Sequence, residues 1–309
     1  MTAQGLSLPI KLKSSRVRET GFDALFMLGI YILLSLVMIA VVYPLIYVVS
    51  ASFSSGAAVI SGRVVLWPVE FSTEAYVKIF HYERIWTGYM NSVFYAVVGT
   101  LVNVSMTILA AYPLSRRDLF GRNFIMFMFA FTMMFNGGLI PTYLTVKEVG
   151  LYNTRWALII PSALSVWNLI ICVTYFRTSI PQELLEAAHL DGCSDIEYLF
   201  RILLPLSTPI IAVLSLFYAI NHWNQFFAAL IYLGNRDLYP LQIILRDILI
   251  NSQIDMNVME DIQVMAAREA MRELLKYALI VVASGPVLMI YPFVQKYFVK
   301  GIMIGAIKG

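Results

Sequence analysis

Glu186-Ala187-Ala188-His189-Leu190-Asp191-Gly192, followed after nine residues by Ile202-Leu203-Leu204-Pro205, is the stretch on which the reading of this chain turns. It lies between two strongly apolar segments and carries the densest run of acidic side chains in the sequence. Ser179 with Gln182 three residues later reads as a capping box, and Pro181 falls in the first helical turn, where its missing N–H removes no bond. The spacing predicts a helix from about Ile180 to Gly192, a residue type suited to the left-handed position after a helix end. Ser194 with Glu197 is a second capping box that opens the next helix. The expected unit is a short helix, a glycine elbow and a long helix returning into apolar sequence.

Outward from this unit the chain is built for a bilayer. Apolar residues make up 60% of its 309 positions and charged residues only 13%, too few to coat a soluble domain. A helix crossing hydrocarbon needs ~20 apolar residues, and six windows qualify: 23–50, 91–114, 123–146, 156–177, 203–233 and 274–298. The expected fold class is an all-α integral membrane protein with six transmembrane helices. The third window is broken by Asn136-Gly137-Gly138 and Pro141, which membrane depth tolerates only where the freed backbone groups face protein or water. The apolar run of the first window is too long for a signal-peptide core and reads as a retained span.

Two larger loops stand apart, residues 51–90 and 234–273. In the second, Leu241, Leu245 and Ile248 share a helical face, so a short helix lies at the interface or packs on the bundle. Residues 257–276 have a charged helical pattern that runs into the sixth span. Lys11, Lys13, Arg16 and Arg18 at the amino end, Arg116, Arg117 and Arg122 after the second span, and Lys296, Lys300 and Lys308 in the tail all fall on one side. By the positive-inside rule that side is cytoplasmic, with both termini and the 186–192 stretch on it.

The amide–aromatic run Asn221-His222-Trp223-Asn224-Gln225-Phe226-Phe227 sits inside the fifth span. Amides there need partners and face the bundle or a wet path. Trp223 and Phe227, one turn apart, are expected to share a face, with Asn221, Asn224 and Gln225 on a neighbouring one. Aromatic faces stacking on sugar rings, with amides taking hydroxyls, would make a carbohydrate path. The same groups would equally serve as glue to a partner permease, and the two readings do not exclude each other. His222 reads as a packing residue, and Asn103, Asn136 and Asn168 as interhelical glue. The methionines 126, 128, 133 and 134 read as core packing.

Several function classes are excluded. A net charge of +3 with basic residues dispersed in loops gives no nucleic-acid surface. Cys172 and Cys193 fit no metal or disulfide spacing. There is no Gly-Lys dipeptide for a Walker A loop, no HExxH and no GxSxG, so neither a catalytic residue nor a metal-ligand set is found. The alternative of a six-helix secondary transporter driven by an ion gradient needs an acidic or basic residue inside a span to carry the ion, and the six cores contain no Asp, Glu, Lys or Arg.

Glu-Ala-Ala, three residues, Gly, nine residues and Ile-x-Leu-Pro resembles the EAA loop of ABC importer permeases. The Trp223-Asn224-Gln225-Phe226 run and the tail Gln295-Lys296-Tyr297-Phe298-Val299-Lys300-Gly301 are similar to carbohydrate permeases of the maltose-permease type, and Tyr239-Pro240-Leu241-Gln242 with Lys296–Gly301 resembles its oligosaccharide subgroup, which includes uronic-acid-containing substrates. The resemblance covers residues from about 90 to the end. It implies a type I ABC importer transmembrane domain in a bacterial cytoplasmic membrane, multi-pass. Residues 1–22 would be a cytoplasmic segment, 23–90 the first span and outer loop, 91–298 the core domain and 299–309 a cytoplasmic tail. It further implies a coupling helix at about 180–192, with Glu186, Ala187, Ala188, Asp191 and Gly192 meeting an ATPase. The implied partners are a second homologous permease, two cytosolic ATP-binding subunits or a homodimer of them, an extracytoplasmic sugar-binding protein and membrane lipid. ATP and Mg²⁺ would be bound by those subunits, leaving this chain without a cofactor and without enzyme activity.

Overall fold

The computed structural model describes residues 21–254 and 262–306. Residues 1–20, among them Lys11, Lys13, Arg16 and Arg18, and Asn257 and Lys308, for which the sequence sets expectations, lie outside the described residues. Among those described there is helix and loop but no strand. The chain divides into two compact units between Tyr47 and Val48. Most of helix α1 (Gly21–Ser52) forms the first, and its side chains are apolar around the whole circumference, as suits a helix in lipid.

In the second unit, α2 (Gly56–Ile60) and α3 (Glu74–His81) occupy the stretch expected as a loop. The central element is α4 (Arg84–Ser115), two turns longer than the apolar window because its amphipathic start packs against other helices. The third window is α5 (Arg122–Met134) and α6 (Leu139–Glu148), bent by 112° across the expected Asn136-Gly137-Gly138 break. The fourth comprises 3₁₀ turns Arg155–Leu158 and Ile160–Ser162 and, after a 51° bend, α7 (Val166–Ser179). After α8 (Gln182–Leu190) come α9 (Asp195–Tyr198), a π turn at Leu199–Leu203 and α10 (Leu204–Leu206). The chain then bends by 82° into α11 (Thr208–Trp223), followed by α12 (Phe227–Tyr232). Thus the expected continuous fifth span, 203–233, is interrupted at both ends. Pro205 and Pro209 each remove a backbone donor around the first interruption.

The expected amphipathic helix is α13 (Leu241–Ile254); Leu241, Ile244 and Leu245 are buried, so it packs on the bundle rather than lying free. Helix α14 (Ile262–Ala306) carries the charged pattern straight into the sixth span and continues through the stretch expected as a separate tail. The membrane part is therefore six segments: α1, α4 and the apolar part of α14 are continuous, and three are bent pairs.

Among the described residues two apolar cores stabilise the second unit. One joins Ile108, Ala111 and Leu114 of α4 to Leu169 and Phe176 of α7 and Leu214 of α11. The other joins Tyr95 of α4 to Leu158, Ala229 and Ile243. Between them is a polar layer. Asn103 donates from Nδ2 to the Ser162 carbonyl at 2.8 Å, and its Oδ1 lies 3.4 Å from His222 Nε2. Thr107 Oγ1 and the Tyr218 hydroxyl are 2.7 Å apart. His222 fits because residue 99 is glycine: a Cβ there would lie 2.4 Å from His222 Nε2.

Gly99→Ala should therefore destabilise the chain by about 1–3 kcal/mol, the usual cost of overpacking. His222→Ala in the same chain should remove most of that added penalty. Thermal midpoints of the two single variants, the double variant and the parent in detergent measure this. Additive losses would show that the two residues do not compete for one space.

Candidate functional site

The 180–205 stretch forms an elbow at one end of the bundle. Its entry differs from the expected capping box. Ser179 is the last residue of α7, and Pro181, with extended backbone, takes the N-cap position without a side-chain bond. Gln182 is then the first residue of α8, and its Nε2 donates along the helix to Glu186 Oε1 at 3.1 Å.

The exit is as the spacing predicts. Gly192 has φ +75°, a conformation that a β-branched side chain resists. The N–H of Asp191 donates to the Ala187 carbonyl at 3.0 Å, and that of Cys193 to the Ala188 carbonyl at 2.9 Å, closing the helix end. Ser194 Oγ accepts from Glu197 N at 3.3 Å, and Glu197 Oε2 accepts from Ser194 N at 3.2 Å. This second capping box is complete. The helix it opens is a single α turn running into the π turn, not one long helix.

The two alanines have different environments. Ala188 is 5% exposed and packs into the α4–α7–α11 core, so its small side chain lets α8 approach the bundle. Glu186, Ala187, Asp191 and Gly192 are exposed. Leu190, at the end of α8, is 90% exposed, and Ile196 on α9 is also exposed. The elbow thus turns one small residue inward and presents a carboxylate and a bare leucine outward.

A charged cluster holds the elbow to the end of α4. Arg116, whose side chain is only 15% exposed, donates from Nε and Nη2 to the two Asp118 oxygens at 2.9 and 2.7 Å. Its Nη1 donates to Asp195 Oδ1 and to the Tyr112 hydroxyl, the latter at 3.2 Å. The same Asp195 oxygen accepts from Tyr112 Oη at 3.2 Å and lies 3.2 Å from His189 Nε2. The hydrogen bonds from Arg116 hold the Asp118 carboxyl below its usual range, and the bond to Asp118 in turn raises the Arg116 guanidinium. Between α8 and the ends of α4 and α7 is an open cleft of about 1130 Å³, lined among others by Arg116, Arg117, Arg177, Gln182 and Glu186.

The second group of candidate residues is divided by the break after α11. Trp223 is 6% exposed, its Nε1 donates to the Ala283 carbonyl at 2.9 Å, and its ring lies against Tyr89. Gln225 Nε2 donates to the Leu158 carbonyl at 3.0 Å. Asn221, Asn224 and Phe227 are exposed. Trp223 ends α11 and Phe227 begins α12, so the expected common face of these two rings does not form. The structure brings the elbow residues together but leaves this group as two inward ties and three outward side chains.

Arg116 and Leu190 were not singled out by sequence reasoning for these positions. Arg116 was legible only as one charge in a basic turn; its pairing with a residue 79 positions away has no sequence signature. Leu190 fits the apolar side of a short helix, and only the fold shows that none of the described residues covers it.

Residues 85–304 match the family described as binding-protein-dependent transport system inner membrane component. The chain is 44% identical over 290 residues to the polygalacturonan/rhamnogalacturonan transport system permease protein YtcP of Bacillus subtilis (strain 168), covering 93% of this chain and 99% of that protein. It is 41% identical over 268 residues to protein LplC of the same organism, covering 87% and 90%. Among solved structures, that of a bacterial ABC transporter involved in the import of the acidic polysaccharide alginate superposes with a TM-score of 0.79 at 36% identity. That alignment covers 90% of this chain and 98% of the other. With a family match across most of its length and relatives covered nearly end to end, the chain belongs to the binding-protein-dependent transport system inner membrane components, transport permeases rather than enzymes.

Proposed function

We propose that this chain is a permease subunit of an ATP-driven importer for acidic oligosaccharides, and that α8 is the element through which cytosolic ATPases drive it. The observation that carries this reading is the elbow. Between two bent membrane segments, it is braced on its inner side by Ala188 and presents Glu186, Ala187 and Leu190 to a partner. ATP and Mg²⁺ belong to that partner, which would be two ATP-binding subunits or a homodimer. A second homologous permease completes the path, and a sugar-binding protein delivers substrate from outside. Both termini and α8 lie in the cytoplasm, in a bacterial cytoplasmic membrane. The proposed division is 1–22, 23–90, 91–298 and 299–309, with α14 continuous across 299–306.

The substrate class rests on the relatives. One is named for polygalacturonan and rhamnogalacturonan, and the solved neighbour for the acidic polysaccharide alginate; all three polymers carry uronic acids. In the path, Asn221, Asn224 and Phe227 are the side chains available to a sugar or to the second permease, while Trp223 and Gln225 hold the break in place from behind. Membership in a binding-protein-dependent family, together with the absence of Asp, Glu, Lys and Arg from the span cores, argues against the ion-gradient alternative.

Glu186→Ala should strongly reduce uptake and recovery of the ATPase with the tagged chain. Truncating one partner of a desolvated charged contact costs ~2–5 kcal/mol, against ~0–1 kcal/mol for an exposed pair. Glu183→Ala, one turn earlier, should therefore do much less, and Gly192→Val should impair recovery through the elbow backbone. Equal, mild effects of the two glutamate changes would remove α8 from the docking role.

Asn224→Ala should lower uptake of a galacturonate oligosaccharide while the assembled complex is recovered in full. Trp223→Ala should instead destabilise the chain by about 3–5 kcal/mol through lost core packing, read as a lower thermal midpoint. Unchanged uptake in the Asn224 variant would leave that residue outside the path.

For topology, membrane-impermeant maleimide in intact cells should label a cysteine placed at Arg63 but not one at Asp195. Labelling at Asp195 would reverse the proposed orientation.

A further inference from the structure

Helix α8 touches the rest of the chain in two chemically different ways. Through Ala188 it meets an apolar core, and apolar contact is non-directional, so surfaces can slide over one another. Through His189 and the exit loop it meets a carboxylate fixed by donors from α4. Paired guanidinium–carboxylate bonds fix direction as well as distance.

Arg116 is the hub of the second contact. It follows directly on α4 as that helix's C-cap residue. Its bidentate bond to Asp118 prevents the guanidinium from turning, and Arg122 Nη1 holds its carbonyl at 3.0 Å. The remaining Nη1 reaches Asp195, the first residue of α9 and five positions after the end of α8. Three donors from two sides converge on one Asp195 oxygen: Arg116 and Tyr112 from the α4 end, and His189 from the last turn of α8. At its other end, α4 packs against α13, and along its length against α7 and α11. A displacement of the elbow that keeps the Asp195 cluster intact must therefore pull the end of α4.

The geometry assigns Arg116, through Asp195, as a positioning residue that carries displacement of α8 into α4, so that the elbow moves the central helix as well as the segments it directly connects. This rests on the proposed docking of an ATPase to α8, and the experiment separates the two. In complexes purified from membranes with their ATPase, carrying Cys193→Ser to remove the partly exposed thiol, two single cysteines report by their maleimide labelling rates. Leu190→Cys reports docking, and Met90→Cys, exposed near the other end of α4, reports movement of α4. The probe is ATP with Mg²⁺ and vanadate.

Docking predicts that Leu190→Cys is protected in the complex relative to the chain alone. With Arg116 and Asp195 present, ATP–vanadate should change the Met90→Cys rate by about fivefold or more, the low end of typical coupling between sites. Asp195→Ala, an exposed substitution that leaves the Ser194–Glu197 cap in place, should reduce that change to less than about twofold while Leu190→Cys stays protected. Arg116→Ala should add little to Asp195→Ala, and Asp195→Glu should restore much of the response, which a general loss of packing would not do. A full Met90→Cys response in Asp195→Ala overturns the assignment. So does a complex in which Met90→Cys never responds, or one in which Asp195→Ala abolishes Leu190→Cys protection. Lack of Leu190→Cys protection in the unsubstituted complex overturns docking itself.

Discussion

Interrupted helices and the turns beside them leave backbone groups that need other partners, and among the described residues α4 supplies several of these. Bends leave carbonyls without intrahelical donors, each a cost of several kcal/mol in hydrocarbon if nothing replaces them. Asn103 of α4 takes the Ser162 carbonyl at the bend before α7. Towards the other end, Asn91 donates to the carbonyls of Asp237 and Tyr239, and Tyr95 to that of Leu238. Ser92 Oγ accepts the free N–H of Leu241 at the start of α13. The polar residues of α4 thus share a function: they let other segments be irregular. Gln225 does the same once from the opposite side, at the Leu158 carbonyl.

This arrangement explains why the amide-rich run at 221–227 divides. A break after α11 must be fixed, and Trp223 and Gln225 fix it by donating to backbone carbonyls of α14 and the 3₁₀ turn. Those two are committed inward, the helix is interrupted between Trp223 and Phe227, and Asn221, Asn224 and Phe227 are exposed. Inward ties and outward side chains are therefore successive positions of one irregular segment.

What the sequence made legible follows the same physics. Signals that act within a few residues were readable: the Ser194–Glu197 box, the Gly192 exit, the break at Asn136-Gly137-Gly138 and the apolar windows themselves. The Ser179–Gln182 box was misread because α7 runs on to Ser179, and a residue inside one helix cannot take the extended backbone of the next helix's cap. The continuous fifth span was misread because apolar composition persists through a bend; hydropathy measures where a segment can lie, not whether it is straight. Ala188 matched its motif position, but which face it occupies depends on the approach of α4 and α7. Asp195 and Arg116 each carried an ordinary local meaning, helix start and basic turn, and only tertiary structure joins them.

The two ends of α4 are held by different chemistry, and that difference bears on which end can respond. At the 84–95 end the bonds are mostly between neutral groups, made by the buried side chains of Asn91, Ser92 and Tyr95 to backbone. Such bonds change little with their surroundings once water is gone. At the 112–116 end the bonds are ionic, and one partner, Asp195, has a side chain 58% exposed. Charge–charge attraction grows as the local dielectric falls, so a protein that covers the elbow and excludes water from Asp195 strengthens its hold on Arg116 without making any new contact to either. Docking would then stiffen the connection through which docking acts, at the one end of α4 where stiffness is adjustable.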